Sequence, residues 1–238
     1  MKQISRRKLL DQIVERYRDD KNVKAVLIGG SMARGEENVF SDFDIILIVK
    51  EKTNYVRFHT QDVFIEVDSI TLVEVRQRLK ATPEVYFSLT ESKALWDPEG
   101  LHRRILELLK AFHESYKVAE LTKADLFIKS VNSCNKLAAA LESRDDFLIA
   151  YHTALALNVF YPAVFALADE IAPPMTHAWK FISGSPATPV EYTRFRRALG
   201  AGRVGDSGKL MLKMMKGLSG QLEPSIHRFK KFYKEWRV

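Results

Sequence analysis

Two aspartates stand one residue apart in "SDFDIILIV", Asp42 and Asp44, directly ahead of an unbroken apolar run. In a strand, residues two apart point to the same face. Asp42 and Asp44 therefore project side by side, with Phe43 and Ile45 facing the core. Two adjacent carboxylates repel unless a cation sits between them. Hard oxygen donors at this spacing suit Mg²⁺, which takes a few carboxylates together with substrate phosphates. Upstream, "VKAVLIGGSMARG" ends an apolar segment in Gly29 and Gly30, which let the backbone turn and approach a ligand. Ser31 opens a short helix, whose leading N–H groups and serine hydroxyl suit phosphate. A phosphate-binding turn beside a Mg²⁺-binding strand is the equipment of nucleotidyl transfer.

The elements that position these groups are legible in outline. Ser5 is placed to cap a helix carrying Leu9, Ile13 and Tyr17 at helical spacing. "VKAVLI", "DFDIILIVK" and "DVFIEVDSI" read as buried strands, and "SKALW" as a further one. Thr71 and Glu74 have the spacing of a capping box that opens the helix "TLVEVRQRLK". An amphipathic helix is expected from Leu101 to about Tyr116. From residue 117 the strand pattern ends. Long helical segments follow, separated by "IAPPMTH" and "SGSPATPVEY". The fold expected is α+β: a mixed-sheet domain over 1–116, then an all-α bundle of four or five helices over 117–238.

With Gly-Ser, a spacer and Asp-x-Asp on the page, "GGSMARGEENVFSDFDI" resembles the DNA polymerase β-like nucleotidyltransferase superfamily. Within it, the stretch is similar to the bacterial small-molecule (kanamycin, aminoglycoside and lincosamide type) and minimal nucleotidyltransferases. The resemblance covers residues 1 to about 115 at motif level. It implies two Mg²⁺ ions held by Asp42, Asp44 and a third carboxylate on a neighbouring strand. Glu66 and Asp68 share one face of "VFIEVDSI" and are both candidates. Similarity to the third-strand segment of kanamycin nucleotidyltransferase favours Glu66, with Asp68 in reserve. It further implies that Gly30, Ser31, Arg34 and Ser41 bind the nucleotide, ATP or another NTP. Similarity in "LALNVFYPAVFALADEI" and "AWKFI" would put Asn158, Tyr161 and Lys180 in the acceptor pocket. The competing reading makes Asn158 and Tyr161 packing residues and Lys180 a solvated cation. One departure concerns the general base, a glutamate early in the helical domain of the kanamycin enzyme. Asn132 falls at that position here, and an amide cannot take a proton. Glu142 and Asp125 lie on the same expected helix without being compelling substitutes.

The 238 residues are 46% hydrophobic and 28% charged, the composition of an ordinary globular chain. The apolar runs are read as too short or interrupted to span a bilayer, and the charged N-terminus is not a secretory signal. The lone Cys134 fits a reducing compartment, so a cytoplasmic enzyme without membrane partners is expected. The net charge of +7 favours anionic ligands, and disfavours a polycationic aminoglycoside acceptor. The first expectation is transfer of AMP to a hydroxyl of a small molecule, with antibiotic modification included. The alternatives are modification of an RNA or protein, as by minimal nucleotidyltransferases of toxin–antitoxin pairs, and a retired nucleotide-binding scaffold. The tail "HRFKKFYKEWRV" mixes cations with aromatics and suits single-stranded nucleic acid. It equally suits an amphipathic helix burying Phe229, Phe232 and Trp236. A homodimer is also among the expectations from the resemblance.

Overall fold

The computed structural model describes residues 6–54, 56–60, 63–83 and 85–230, the last four of these by backbone alone. The expected Ser5 cap and the aromatic face of the tail lie outside the described residues. The chain divides into two compact units, Met1–Ser115 and Tyr116–Val238.

The first unit is built on a five-stranded mixed sheet of order β3-β4-β2-β1-β5. Its strands are β1 (Val23–Ile28), β2 (Phe43–Val49), β3 (Val56–Thr60), β4 (Val63–Ile70) and β5 (Lys93–Trp96). β1 runs antiparallel to β2 and β5, β3 antiparallel to β4, and β2 parallel to β4. Both faces of the sheet are covered, which is why β1 and β2 read as continuous apolar runs rather than alternating ones. Adjacent side chains nevertheless sort to opposite faces. Val26, Ile28, Phe43, Ile45 and Leu47 pack with Leu9 and Ile13 of α1 (Arg6–Arg18). Ala25, Leu27, Ile48 and Ile70 pack on the other side, with Val75 and Leu79 of α3 (Leu72–Ala81) and Ile105 and Leu109 of α5 (Leu101–Ser115). The capping box forms: the Glu74 N–H donates to Thr71 Oγ1 at 3.2 Å, and the Thr71 N–H to Glu74 Oε2 at 2.9 Å.

Two elements were not anticipated. β3 is an edge strand whose residues are mostly exposed, so no apolar run announces it. The helix α4 (Val85–Thr90) is a short turn that buries Leu89. A short one-turn helix, α2 (Gly30–Arg34), links β1 to the loop before β2.

Among its described residues the second unit contains helices and no strand. It comprises α6 (Glu120–Ser143), α7 (Asp146–Leu167), α8 (Met175–Phe181), a 3₁₀ turn (Ile182–Gly184), α9 (Tyr192–Gly200) and α10 (Val204–Lys230). Leu137, Ala156, Phe160, Val164, Phe195, Met211, Met215 and Leu218 form its core. Asp145 caps α7, accepting from the N–H groups of Phe147 and Leu148 at 2.8 and 3.1 Å. The expected architecture, a mixed-sheet unit followed by a helical one, is therefore present. The reading of the apolar runs as too short for a bilayer is corrected in one respect. α7 has 22 residues, and by length and composition alone it is long and apolar enough to cross one. In the folded chain, Ala156, Phe160, Ala163 and Val164 of this helix lie in the helical core.

Candidate functional site

The site begins where β1 ends. The Gly29 N–H donates to the Asp44 carbonyl at 2.7 Å, extending the β1–β2 ladder by one bond and fixing the glycine turn against β2. Gly30 then adopts φ +58°, in the left-handed region. A Cβ on Gly30 would lie 1.8 Å from Asp44 Oδ2, so the carboxylate occupies the volume where any other residue would carry its side chain. The chain continues into α2 and leaves it through Gly35 at φ +72°. With five residues, α2 offers little dipole, but its first-turn N–H groups precede the intrahelical ladder and face outward along its axis.

The parallel pairing of β2 with β4 sets Asp44 opposite Glu66. Asp44, Ile46 and Ile48 share one strand face, and Ile48 enters the α3–α5 core on that side. Asp44 therefore sits at the end of an apolar layer, half-buried. Its carboxyl is pushed up to about 6, by burial first and then by the charges of Asp42 and Glu66, while Arg34 pulls it down. The three carboxylates thus share one electrostatic environment.

Among the described residues, no three His, Cys, Asp or Glu side chains are gathered closely enough to enclose a metal ion. Glu66 is engaged elsewhere: its Oε1 lies 2.9 Å from Nε of Arg57 on β3. The chemistry of the donor set still fits a divalent cation. A half-buried carboxylate, raised by burial and by two neighbours of like charge, is a group that a cation would hold ionised.

Asp68 has a separate assignment. Arg78 Nη1 donates to Asp68 Oδ2 at 2.6 Å, and Arg78 Nη2 donates to the Ser69 carbonyl at 3.1 Å. Register sets Asp68 opposite Ile46, one step further from Asp44. Arg34 lies between two carboxylates, Glu36 and Glu91, each 2.8 Å away. Its charge is therefore shared with them as well as with Asp44. Ser41 belongs to a turn: its Oγ accepts from the Asn38 N–H at 2.9 Å, and its carbonyl accepts from the Arg6 guanidinium. That guanidinium also lies 4.8 Å from the centroid of the Phe43 ring. Arg57, Glu91, Arg6 and Asn38 are the residues that sequence reasoning missed. The polar alternation of "VRFHT" ahead of "DVFIEV" was the available sign for Arg57. Nothing local marked Glu91.

Residues 6–118 match the nucleotidyltransferase domain family. The segment runs from the start of α1 to just past α5, and contains every element of the sheet. Two solved structures are similar to the chain. One is a nucleotidyltransferase-like protein from Exiguobacterium sibiricum 255-15, at 10% identity and TM-score 0.47, covering 98% of this chain and 81% of that one. The other is a toxin–antitoxin structure with AMP-PNP, at 11% identity and TM-score 0.32, covering 46% of this chain and 88% of that one. No curated protein matches the chain.

The residues expected to form an acceptor pocket lie on two helices of the second unit, α7 and α8. Asn158 is exposed on α7. Tyr161 is half-buried, with its hydroxyl 3.3 Å from that of Tyr192, whose own ionisation is driven far up by burial. Lys180 is exposed on α8, its Nζ 5.6 Å from the centroid of the Trp179 ring. Asn132 is exposed on α6, as is Glu142. Asp125 pairs with Lys129 at 2.6 Å.

Proposed function

We propose that the protein is a metal-dependent nucleotidyltransferase that moves a nucleoside monophosphate, AMP from ATP in the first instance, onto a hydroxyl of a small-molecule acceptor. One observation carries the reading: Asp42 and Glu66 both act electrostatically on Asp44 at a sheet end, where a left-handed glycine closes directly onto that aspartate. The match of residues 6–118 to the nucleotidyltransferase domain supports the same chemistry. The aminoglycoside and lincosamide resemblance places antibiotics among the acceptors to be tried.

In this proposal Asp42, Asp44 and Glu66 hold Mg²⁺, two ions by the resemblance, and Asp68 stays with Arg78. Bound there, Mg²⁺ neutralises phosphate charge and lowers the pKa of an acceptor hydroxyl. The chain's own groups do the rest. The backbone N–H groups of Gly30 and Ser31 and the Ser31 hydroxyl hold the β- and γ-phosphate oxygens. Arg34, anchored by Glu36 and Glu91, keeps a positive charge near them. The turn held by Asn38 and Ser41 sets the approach to Asp42. The acceptor oxygen attacks the α-phosphorus in line, a new P–O bond forms, and the bond to the bridging oxygen breaks, releasing pyrophosphate. With Asn132 at the family's base position, the hydroxyl proton passes to the carboxylate cluster, with Glu66 as its acceptor. The helical unit supplies the acceptor surface, with Asn158, Tyr161 and Lys180 as its candidate residues.

A second reading, transfer to an RNA or protein acceptor, is favoured by the strongly basic helical unit. A pyrophosphate-release screen separates the readings. Purified protein is incubated with Mg²⁺, each NTP, and separate pools of aminoglycosides, lincosamides, other hydroxylated metabolites and total RNA. Release that needs one pool and disappears in Asp42→Asn/Asp44→Asn names the acceptor class. No release from any pool, with nucleotide still bound, favours the retired scaffold.

A further inference from the structure

The charge of this chain is not spread evenly. Between Ala172 and Leu222 stand eight lysines and arginines against two acids, a net +6 out of the whole chain's +7. Both acids are engaged within the same segment: Glu191 with Lys213 at 2.7 Å, and Asp206 with Arg203 at 3.5 Å. α9 explains how the cations reach one face. It buries Tyr192, Phe195 and Ala198 at helical spacing, which leaves Arg194, Arg196 and Arg197 on its exposed side.

An aromatic ring lies beside one of these cations, Arg196. Trp179 of α8 is 44% exposed, although a ring of this size is ordinarily well covered. Its position is held: the indole Nε1–H donates to the Thr176 carbonyl at 3.1 Å. The Arg196 guanidinium and the Lys180 ammonium each lie 5.6 Å from its centroid. The ring is thus oriented and ringed by positive charge, which is how proteins that bind single strands combine backbone attraction with base stacking. An acidic protein partner would use the charge but would have no particular use for the ring.

We infer that the exposed face of α8 and α9, centred on Trp179 and Arg196 with Lys180, Arg194 and Arg197 around them, binds single-stranded nucleic acid. Phosphates pair with the arginines and one base stacks on the indole. The inference rests on the helical unit alone and holds whichever acceptor the nucleotidyltransferase domain serves.

The test is fluorescence anisotropy of the full chain with a labelled single-stranded RNA of about 16 nucleotides, the upper range of a single-strand site, over a salt series. The wild type is expected to bind with an affinity that falls steeply with salt. Removing three phosphate contacts in Arg194→Ala/Arg196→Ala/Arg197→Ala should lessen the log–log slope by about 2. Trp179→Ala should weaken binding by about 5- to 150-fold at constant salt, as the loss of one stacked base does, with Trp179→Phe restoring part of it. Asp42→Asn/Asp44→Asn should bind RNA as the wild type does, so loss of transfer and loss of strand binding are read separately. An Arg103→Ala/Arg104→Ala/Lys110→Ala variant, which removes as many exposed cations from α5, should change binding little. Equal weakening by that variant would overturn the assignment, because net charge alone would then be responsible. So would an unaffected Trp179→Ala, competition by polyglutamate as effective as by polyuridylate (which would point to an acidic protein), or parallel loss of ATP binding in the arginine variant (which would assign the face to the nucleotide).

Discussion

Gly30 and Asp44 share one volume: a methyl group on the glycine would stand 1.8 Å from the aspartate Oδ2. The close fit adds to the hydrogen bond from the Gly29 N–H to the Asp44 carbonyl, which already ties the phosphate-side turn to the carboxylate strand. Gly30→Ala meets two penalties, the left-handed φ of +58° and the displaced carboxylate. The first alone costs about 1–2 kcal/mol. Gly35 isolates that term, because it has φ +72° with nothing within 4 Å of an added Cβ. Gly35→Ala should therefore lose stability but keep turnover. Gly30→Ala should lose more stability and about a hundredfold or more in turnover, on the scale of losing one pre-organised transition-state contact. Equal turnover in the two variants would remove Gly30 from the site.

Asp44 makes the pH dependence of stability unusual in sign. Its carboxyl is raised from 3.8 to about 6 in the folded chain, by burial first and by Asp42 and Glu66 next. Between those values the folded state holds a proton that the unfolded state has released. Stability from this group is therefore full at low pH and is lost as pH rises through the window. Asp44→Asn should raise the melting temperature at neutral pH and leave it unchanged near pH 4. At a half-buried, partly screened site the gain should be modest, about 2–4 °C for a chain of this size. Thermal unfolding followed by circular dichroism at the two pH values checks it. A gain of equal size at both would mean that ionisation of Asp44 is not its source.

Glu66 and Asp68 are neighbours on one face of β4 with different partners. Glu66 lies opposite Asp44, whereas Asp68 is held by Arg78. Glu66→Gln should cost turnover at least about a hundredfold. Asp68→Asn should leave turnover within a few-fold and lower stability by less than about 1 kcal/mol, the range for a partly exposed ion pair. Steady-state pyrophosphate release beside urea titrations reads both quantities. The reverse pattern would move the third carboxylate to position 68.

Gly208 provides a test in the helical unit. An alanine in place of a glycine inside a helix ordinarily stabilises it by about 1 kcal/mol. On α10, however, a Cβ at Gly208 would lie 2.7 Å from Cγ2 of Ile149 on α7 and 3.2 Å from Cδ2 of Leu141. Overpacking at such a contact costs about 1–3 kcal/mol. Gly208→Ala should therefore destabilise, against the propensity scale, with a lower urea midpoint and an unchanged slope. Gly217, which has nothing within 4 Å, should follow the scale as Gly217→Ala. Stabilisation by both substitutions would mean that α10 and α7 do not pack this closely.

The order Gly30, Ser31, Asp42, Asp44 was legible from the sequence, and with it the strand–turn–strand that carries them. So were the capping box at Thr71, the two-faced burial of β1 and β2, and the change from strands to helices near residue 117. These features depend on local spacing, two residues per strand repeat and 3.6 per helical turn. Other features needed the fold. The parallel register that sets Glu66 rather than Asp68 opposite Asp44 is a relation between strands some twenty residues apart. The Arg34–Glu91 and Arg57–Glu66 pairs join residues from different segments, which no local spacing reveals. Likewise, Trp179 and Arg196 are ordinary helix residues until α8 and α9 pack together. Period and composition act within a few residues of chain. Register, charge pairing and the gathering of cations on one face arise only when distant segments share one environment.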